Sequence, residues 1–129
     1  MGPVLHALGR SEEGTRAAER ALILFERIFG AQHPSVTGTL MELGEMYLDV
    51  HRPQDAVKCL ERALKHASTD TSAPELPELQ FNLAKALWDS GTSRSRAAEQ
   101  ARAARDLFKE QRSPRAEEVN VWLARHRPH

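Results

Sequence analysis

The sequence predicts an all-α protein built as a stack of antiparallel helical hairpins. Three observations carry this. Residues 35–68, SVTGTLMELGEMYLDVHRPQDAVKCLERALKHAS, hold two amphipathic segments around the break His51-Arg52-Pro53. Leu40, Leu43 and Tyr47 recur at i, i+3 and i+7 in the first, and Ala56, Leu60, Ala63 and Leu64 at i, i+4, i+7 and i+8 in the second, the spacing of a helix face. Small residues (Gly44, Ala56, Ala63) stand among large ones, as two helices approaching to roughly 8–10 Å require. The pattern then returns along the chain. Ala21-Leu22 precedes Ala63-Leu64 by 42 residues, and Leu83-Ala84 with Leu87 follows Leu43-Gly44 with Tyr47 by 40. Aromatics are only 5% of the 129 residues, while Ala, Leu, Glu and Arg abound, which disfavours sheets. This length suits one modest domain with a real core.

Taken in order, MGPVLHALGR is too short for a full helix of a hairpin, and Gly9-Arg10 occupies the slot that His51-Arg52 holds later. Ser11 suits an N-cap, with Glu12 and Glu13 favoured at the positive helix start, so a helix is expected over 12–29. Gly30 suits a left-handed helix end and Pro34 the first turn of the next helix. Helices 35–50 and 54–68 follow. The stretch STDTSAPELP is polar with two prolines and reads as a loop into helix 77–90. Gly91 takes the His51 slot, and Thr92–Ser95 adds one residue before a helix whose Ala97, Ala101 and Ala104 follow Ala56, Leu60 and Ala63 by 41. Ser113-Pro114 starts a last helix with Ala116, Val119, Trp122 and Leu123 on its apolar face.

At this point the chain resembles the tetratricopeptide repeat. That family's order of large, large, small, large, small, large, small is met by Leu40, Leu43, Gly44, Tyr47, Ala56, Leu60 and Ala63. The run from Ala21-Leu22 through Gly30 to His33-Pro34 is similar to the longer, kinesin-light-chain-like variety, with Phe29-Gly30 in place of leucine-glycine. Ser68 stands where the repeat's closing proline is usual. The resemblance covers residues 4–110 loosely and 14–68 well. It implies a right-handed superhelical stack: a partial repeat at 1–34, repeats at 35–72 and 73–112, and a capping helix at 113–129. It also implies a non-enzymatic module that binds a protein or peptide, whether as an adaptor, a structural oligomerisation module or a fragment of a larger scaffold or signalling protein.

The remaining sequence features exclude other classes. Net charge is zero, and the basic residues of the C-terminal third interleave with Glu99, Asp106, Glu110, Glu117 and Glu118, so nucleic acid is not an expected partner. A single cysteine, Cys59, forbids an internal disulfide and suggests a cytoplasmic protein. No apolar run approaches membrane-spanning length. The six histidines form no HExxH pair and no cluster with the cysteine, and no glycine-rich phosphate loop exists, so no catalytic site, metal or cofactor is expected.

Two surfaces remain. In tetratricopeptide stacks the first helix of each hairpin lines the concave face, which here implies peptide-binding roles for Met41, Glu45, Leu48, Phe81, Asn82, Lys85 and Trp88. In related repeats an asparagine at the position of Asn82 bonds the backbone of an extended peptide, a task suited to an amide that donates and accepts together. The central repeat has Glu42 there instead, and the lysines and asparagines of the carboxylate-clamp subgroup are missing. Phe81 and Trp88 either extend an apolar strip with Met41 and Leu48 or pack between helices. On helix 12–29, Leu22, Ile23, Leu24, Phe25, Ile28 and Phe29 are apolar over more than one face. Leu22, Phe25, Ile28 and Phe29 are therefore expected to form a homodimer interface.

Overall fold

A computed structural model describes residues 2–30, 33–67 and 76–126. Among these are six helices: α1 (Gly2–Phe29), α2 (Pro34–Asp49), α3 (Pro53–Ala67), α4 (Leu76–Ser90), α5 (Arg94–Glu110) and α6 (Arg115–Arg125). Each packs on its neighbours in the chain, and α2 also touches α4. The fold is an all-α helical repeat stack. The stretch 68–75, most of the expected polar loop, lies outside the described residues.

Four helix ends share one device. Gly30, His51, Gly91 and Arg112 all have positive φ, at 89°, 61°, 71° and 56°. At His51 and Arg112 the helix end closes with paired bonds. Arg52 N donates to Tyr47 O and His51 N to Leu48 O, and likewise Ser113 N donates to Phe108 O and Arg112 N to Lys109 O. Both are Schellman ends with a non-glycine residue in the left-handed position. Starts are capped too: His33 Nδ1 accepts from Ser35 N at 3.1 Å, and Ser93 Oγ from Arg96 N at 3.2 Å.

The expected helix 12–29 is longer than its sequence suggests. α1 runs unbroken from Gly2, through Gly9-Arg10 and Ser11. The two slots differ physically. At 51–53 the left-handed His51 is followed by Pro53, which cannot continue the preceding helix; no proline follows Gly9. A lone glycine in a helix costs only about 1 kcal/mol, too little to stop it.

Two clusters form the core. Val36, Leu40, Leu43, Tyr47, Ala56, Leu60, Ala63, Leu79, Leu83 and Leu87 join α2, α3 and α4, while Phe81, Ala84, Ala101, Ala104, Phe108, Ala116 and Val119 join α4, α5 and α6. Alanine replaces leucine in the second, so helices α4 and α5 meet through small side chains. Tyr47 ties α1 to this core, its hydroxyl donating to Glu19 Oε2 at 2.6 Å. Burial and the Glu19 carboxylate both hold that hydroxyl above its ordinary pKa, so it remains a donor at neutral pH. Tyr47→Phe should cost on the order of 1–3 kcal/mol by urea unfolding, since a bond to a charged acceptor is lost.

Candidate binding groove

The helices sort into two layers. Outer ion pairs join the odd-numbered helices: Arg62 of α3 to Glu26 of α1 at 2.6 Å, and Arg96 of α5 to Glu61 of α3 at 3.0 Å. The even-numbered helices form the inner layer, where α2 touches α4 and the ring of Trp122 on α6 meets those of Phe81 and Trp88 on α4. α4 lies between α2 and α6 and is buried over most of its surface. Glu78, Lys85 and Asp89, at spacings of seven and four, form a partly reachable row with buried Asn82 within it; Gln80, Trp88 and Ser90 are the other residues of α4 that are not fully buried.

The seven residues expected to bind peptide all lie on α2 or α4, but their access differs. Glu45 is exposed; Met41, Leu48, Lys85 and Trp88 are half-buried. Phe81 is 1% exposed and belongs to the second core cluster, with Lys85 Nζ lying 4.2 Å from its ring centre. Its place in an open apolar strip is therefore closed by Lys85 and α6. Trp88 sits between these extremes. It makes edge contacts with Trp122 at 6.0 Å and with His126 at 5.2 Å, and Arg94 covers part of it at 4.8 Å. The Trp122–His126 stack at 4.3 Å completes an aromatic group at one end of the inner layer. The sequence places Trp122 on the apolar face of the capping helix; its apposition to Trp88 depends on how α6 lies against α4, which no local spacing encodes.

Asn82 is 6% exposed, and its Nδ2 donates to Glu45 Oε1 at 3.0 Å, spanning α4 and α2. An incoming peptide backbone would have to displace Glu45 to reach this amide. Desolvation holds the Glu45 carboxyl above the ordinary value, the Asn82 bond opposes the rise, and Glu78 and Asp49 add to it. A carboxyl with a raised folded pKa binds its proton more readily folded than unfolded, so stability falls as pH rises through the folded value. Glu45→Gln keeps an acceptor for Asn82 and removes the charge. The variant should melt above the wild type at neutral pH, with the gap closing in acid, where Glu45 is protonated in both states. Paired thermal melts at the two conditions check this.

The edge residues also separate. Leu22 and Phe25 of α1 pack partly against the core, whereas Ile28 is 61% and Phe29 48% exposed. Ile23 at 55% and Leu24 at 53% are further exposed large apolar side chains of this helix. Cys59 on α3 is partly buried, and burial pushes its thiol up, away from a reactive thiolate. Among the described residues no group of three metal-ligating side chains occurs, and no helix is long and apolar enough to cross a membrane.

Comparison with known proteins places this architecture. The profile of the tetratricopeptide repeat matches residues 1–69. No curated protein matches the sequence. Among solved structures, the chain is similar to the nearly identical TPR-like repeats of a Podosopora anserina protein described as a kinesin light chain. The TM-score is 0.82 at 21% identity, over 92% of this chain and 58% of that one. A single-substitution variant of the same protein gives 0.82 at 21% identity, over 92% of this chain and 57% of that one. The chain thus spans about 58% of the length of these neighbours, and at this identity the likeness is one of fold. With the profile covering more than half its length, the chain belongs to the tetratricopeptide repeat family.

Proposed function

We propose that this chain is a cytoplasmic adaptor or scaffold module that binds an extended peptide, or a segment of a partner protein, along the inner layer. Tetratricopeptide repeats are in general protein–protein interaction modules and typically non-catalytic. One observation carries the reading: Glu78, Lys85 and Asp89 keep a partly accessible row on the largely buried α4, with half-buried Trp88 on the same helix and half-buried Met41 and Leu48 on α2. Such a strip combines apolar seats with charged and amide groups that fix register. Glu45, Asn82 and Lys85 supply the polar contacts, with Asn82 engaged once Glu45 swings away; Phe81 supports the floor from beneath Lys85. Peptides selected from a random display library on the immobilised chain should bind Leu48→Glu and Lys85→Glu more weakly than the wild type. They should bind Lys58→Glu, changed on α3 of the outer layer, equally well. Equal binding to all four proteins would remove the inner layer as the site.

A second reading is self-association through α1, a homodimer being its simplest form. The observation behind it is the exposure of Ile23, Leu24, Ile28 and Phe29 along the last two turns of that helix.

A further inference from the structure

The first and last helices of the stack are each half of a hairpin. Ala21-Leu22 of α1 matches Ala63-Leu64 of α3 at the 42-residue spacing, so α1 has the character of a second helix, yet among the described residues no first helix stands against it. α6 lies beside α4 in the inner layer, as α4 lies beside α2, and so has the character of a first helix, with no second one against it among the described residues. Both ends show the deficit. Ala63 is fully buried where α2 and α3 close, while its counterpart Ala21 is partly exposed and flanked by exposed Ala17, Leu24 and Ile28 on one helical stripe. Between α5 and α6 runs an open groove of about 350 Å³ lined by Arg102, Arg105, Asn120, Leu123 and Ala124, where a second helix would sit.

We propose that α1 of another copy fills this groove, so that copies associate head to tail and each junction completes a hairpin from α6 of one chain and α1 of the next. This rests on the self-association reading and replaces two-fold pairing of α1 by a contact between unlike surfaces. Charge complementarity supports the assignment. Within the chain, Glu61 of α3 pairs with Arg96 of α5. By the repeat spacing the counterpart of Glu61 on α5 is Arg102, and the counterpart of Arg96 on α1 is Glu13. Extending the stack by one step therefore sets Arg102 against Glu13 of the second copy: opposite charges again, with polarity reversed.

Side-chain size is complementary as well. Gly44 faces Leu60 across the central hairpin. Aligning Leu83 and Leu87 with Val119 and Leu123 puts Asn120 in the Gly44 slot, and Ala18 is the counterpart of Leu60. The larger residue has moved to the other side of the contact. The second outer pair, Glu26–Arg62, maps onto Lys109 and Arg20, which are like charges on long exposed side chains. The junction is accordingly weak and is populated at high protein concentration.

A contact between unlike surfaces does not close as a pair, so assembly grows with concentration. Sedimentation equilibrium of the whole chain, from micromolar to near-millimolar, should show a mass-average rising past twice the 14.5 kDa of one chain. Ala21→Glu poisons one edge and Ala124→Glu the other; both sites are accessible in the single chain, and circular dichroism checks that each variant keeps its helices. Each variant alone should remain monomeric, and their mixture should form a one-to-one dimer, since each retains the edge the other lacks. If Ala124→Glu dimerises alone while Ala21→Glu does not, two-fold pairing of α1 is the mode; head-to-tail contact is then wrong and self-association stands. A wild type that is monomeric throughout overturns both.

Discussion

Phe81→Ala should cost about 3–5 kcal/mol of folding stability, the usual price of deleting a buried aromatic side chain. The ring is 1% exposed, meets Trp122 edge-on at 6.0 Å and packs with Ala84, Ala101, Ala104, Phe108, Ala116 and Val119. Those alanines cannot reach inward to fill the space, because a methyl group has no rotamer to change. The cavity should therefore stay open, and urea unfolding should show a large drop in midpoint. A loss below 1 kcal/mol would mean that the ring is not enclosed by α4, α5 and α6. Phe81 is for this reason a poor residue with which to probe binding.

Gly44→Leu should destabilise the chain by roughly 1–3 kcal/mol or more through overpacking. A Cβ built at Gly44 would come within 2.5 Å of both Cγ and Cδ2 of Leu60, which is itself fully buried. Cγ is a branch point rather than a mobile end, so rotation about the last torsion cannot relieve the contact; α2 and α3 must separate. Even Gly44→Ala should lower the melting temperature, although alanine favours the helix by about 1 kcal/mol over glycine. At Gly38, where no atom lies within 4 Å of such a Cβ, the same exchange should raise it. Equal responses at the two glycines would contradict the close approach of α2 and α3.

These two positions also show how far the sequence could be read. The hairpin register was legible because helical periodicity and residue size are local properties. Leu40, Leu43, Gly44 and Tyr47 declare one face, Ala56, Leu60 and Ala63 the other, and the sole glycine among them predicts the close approach. The N-terminal extent of α1 was not legible from the Gly9-Arg10 match, because the break at 51–53 depends on Pro53, which has no counterpart there. Phe81 and Trp88 share a flank of α4, and their spacing alone left both in the groove or both in the core. Trp122 of α6 meets both rings; what separates them is that Phe81 is also enclosed by Phe108, Ala116 and Val119 from far along the chain, with Lys85 lying over it, whereas Trp88 stays half-buried. The Asn82–Glu45 bond was hidden for the same reason. Both residues could be assigned to the inner layer one by one, but their pairing depends on how α2 and α4 lie side by side.

Lys85 and the two tryptophans allow the most direct test of binding along the inner layer. Trp88 and Trp122 are the only tryptophans of the chain and lie 6.0 Å apart between α4 and α6. A peptide selected from a random display library should, on titration, change the tryptophan emission saturably. Lys85→Glu, which alters the accessible row of α4 beside them, should weaken that titration while leaving the helical circular dichroism unchanged. A selected peptide that binds wild type and Lys85→Glu equally well, without altering tryptophan emission, would place the binding surface elsewhere and contradict the account.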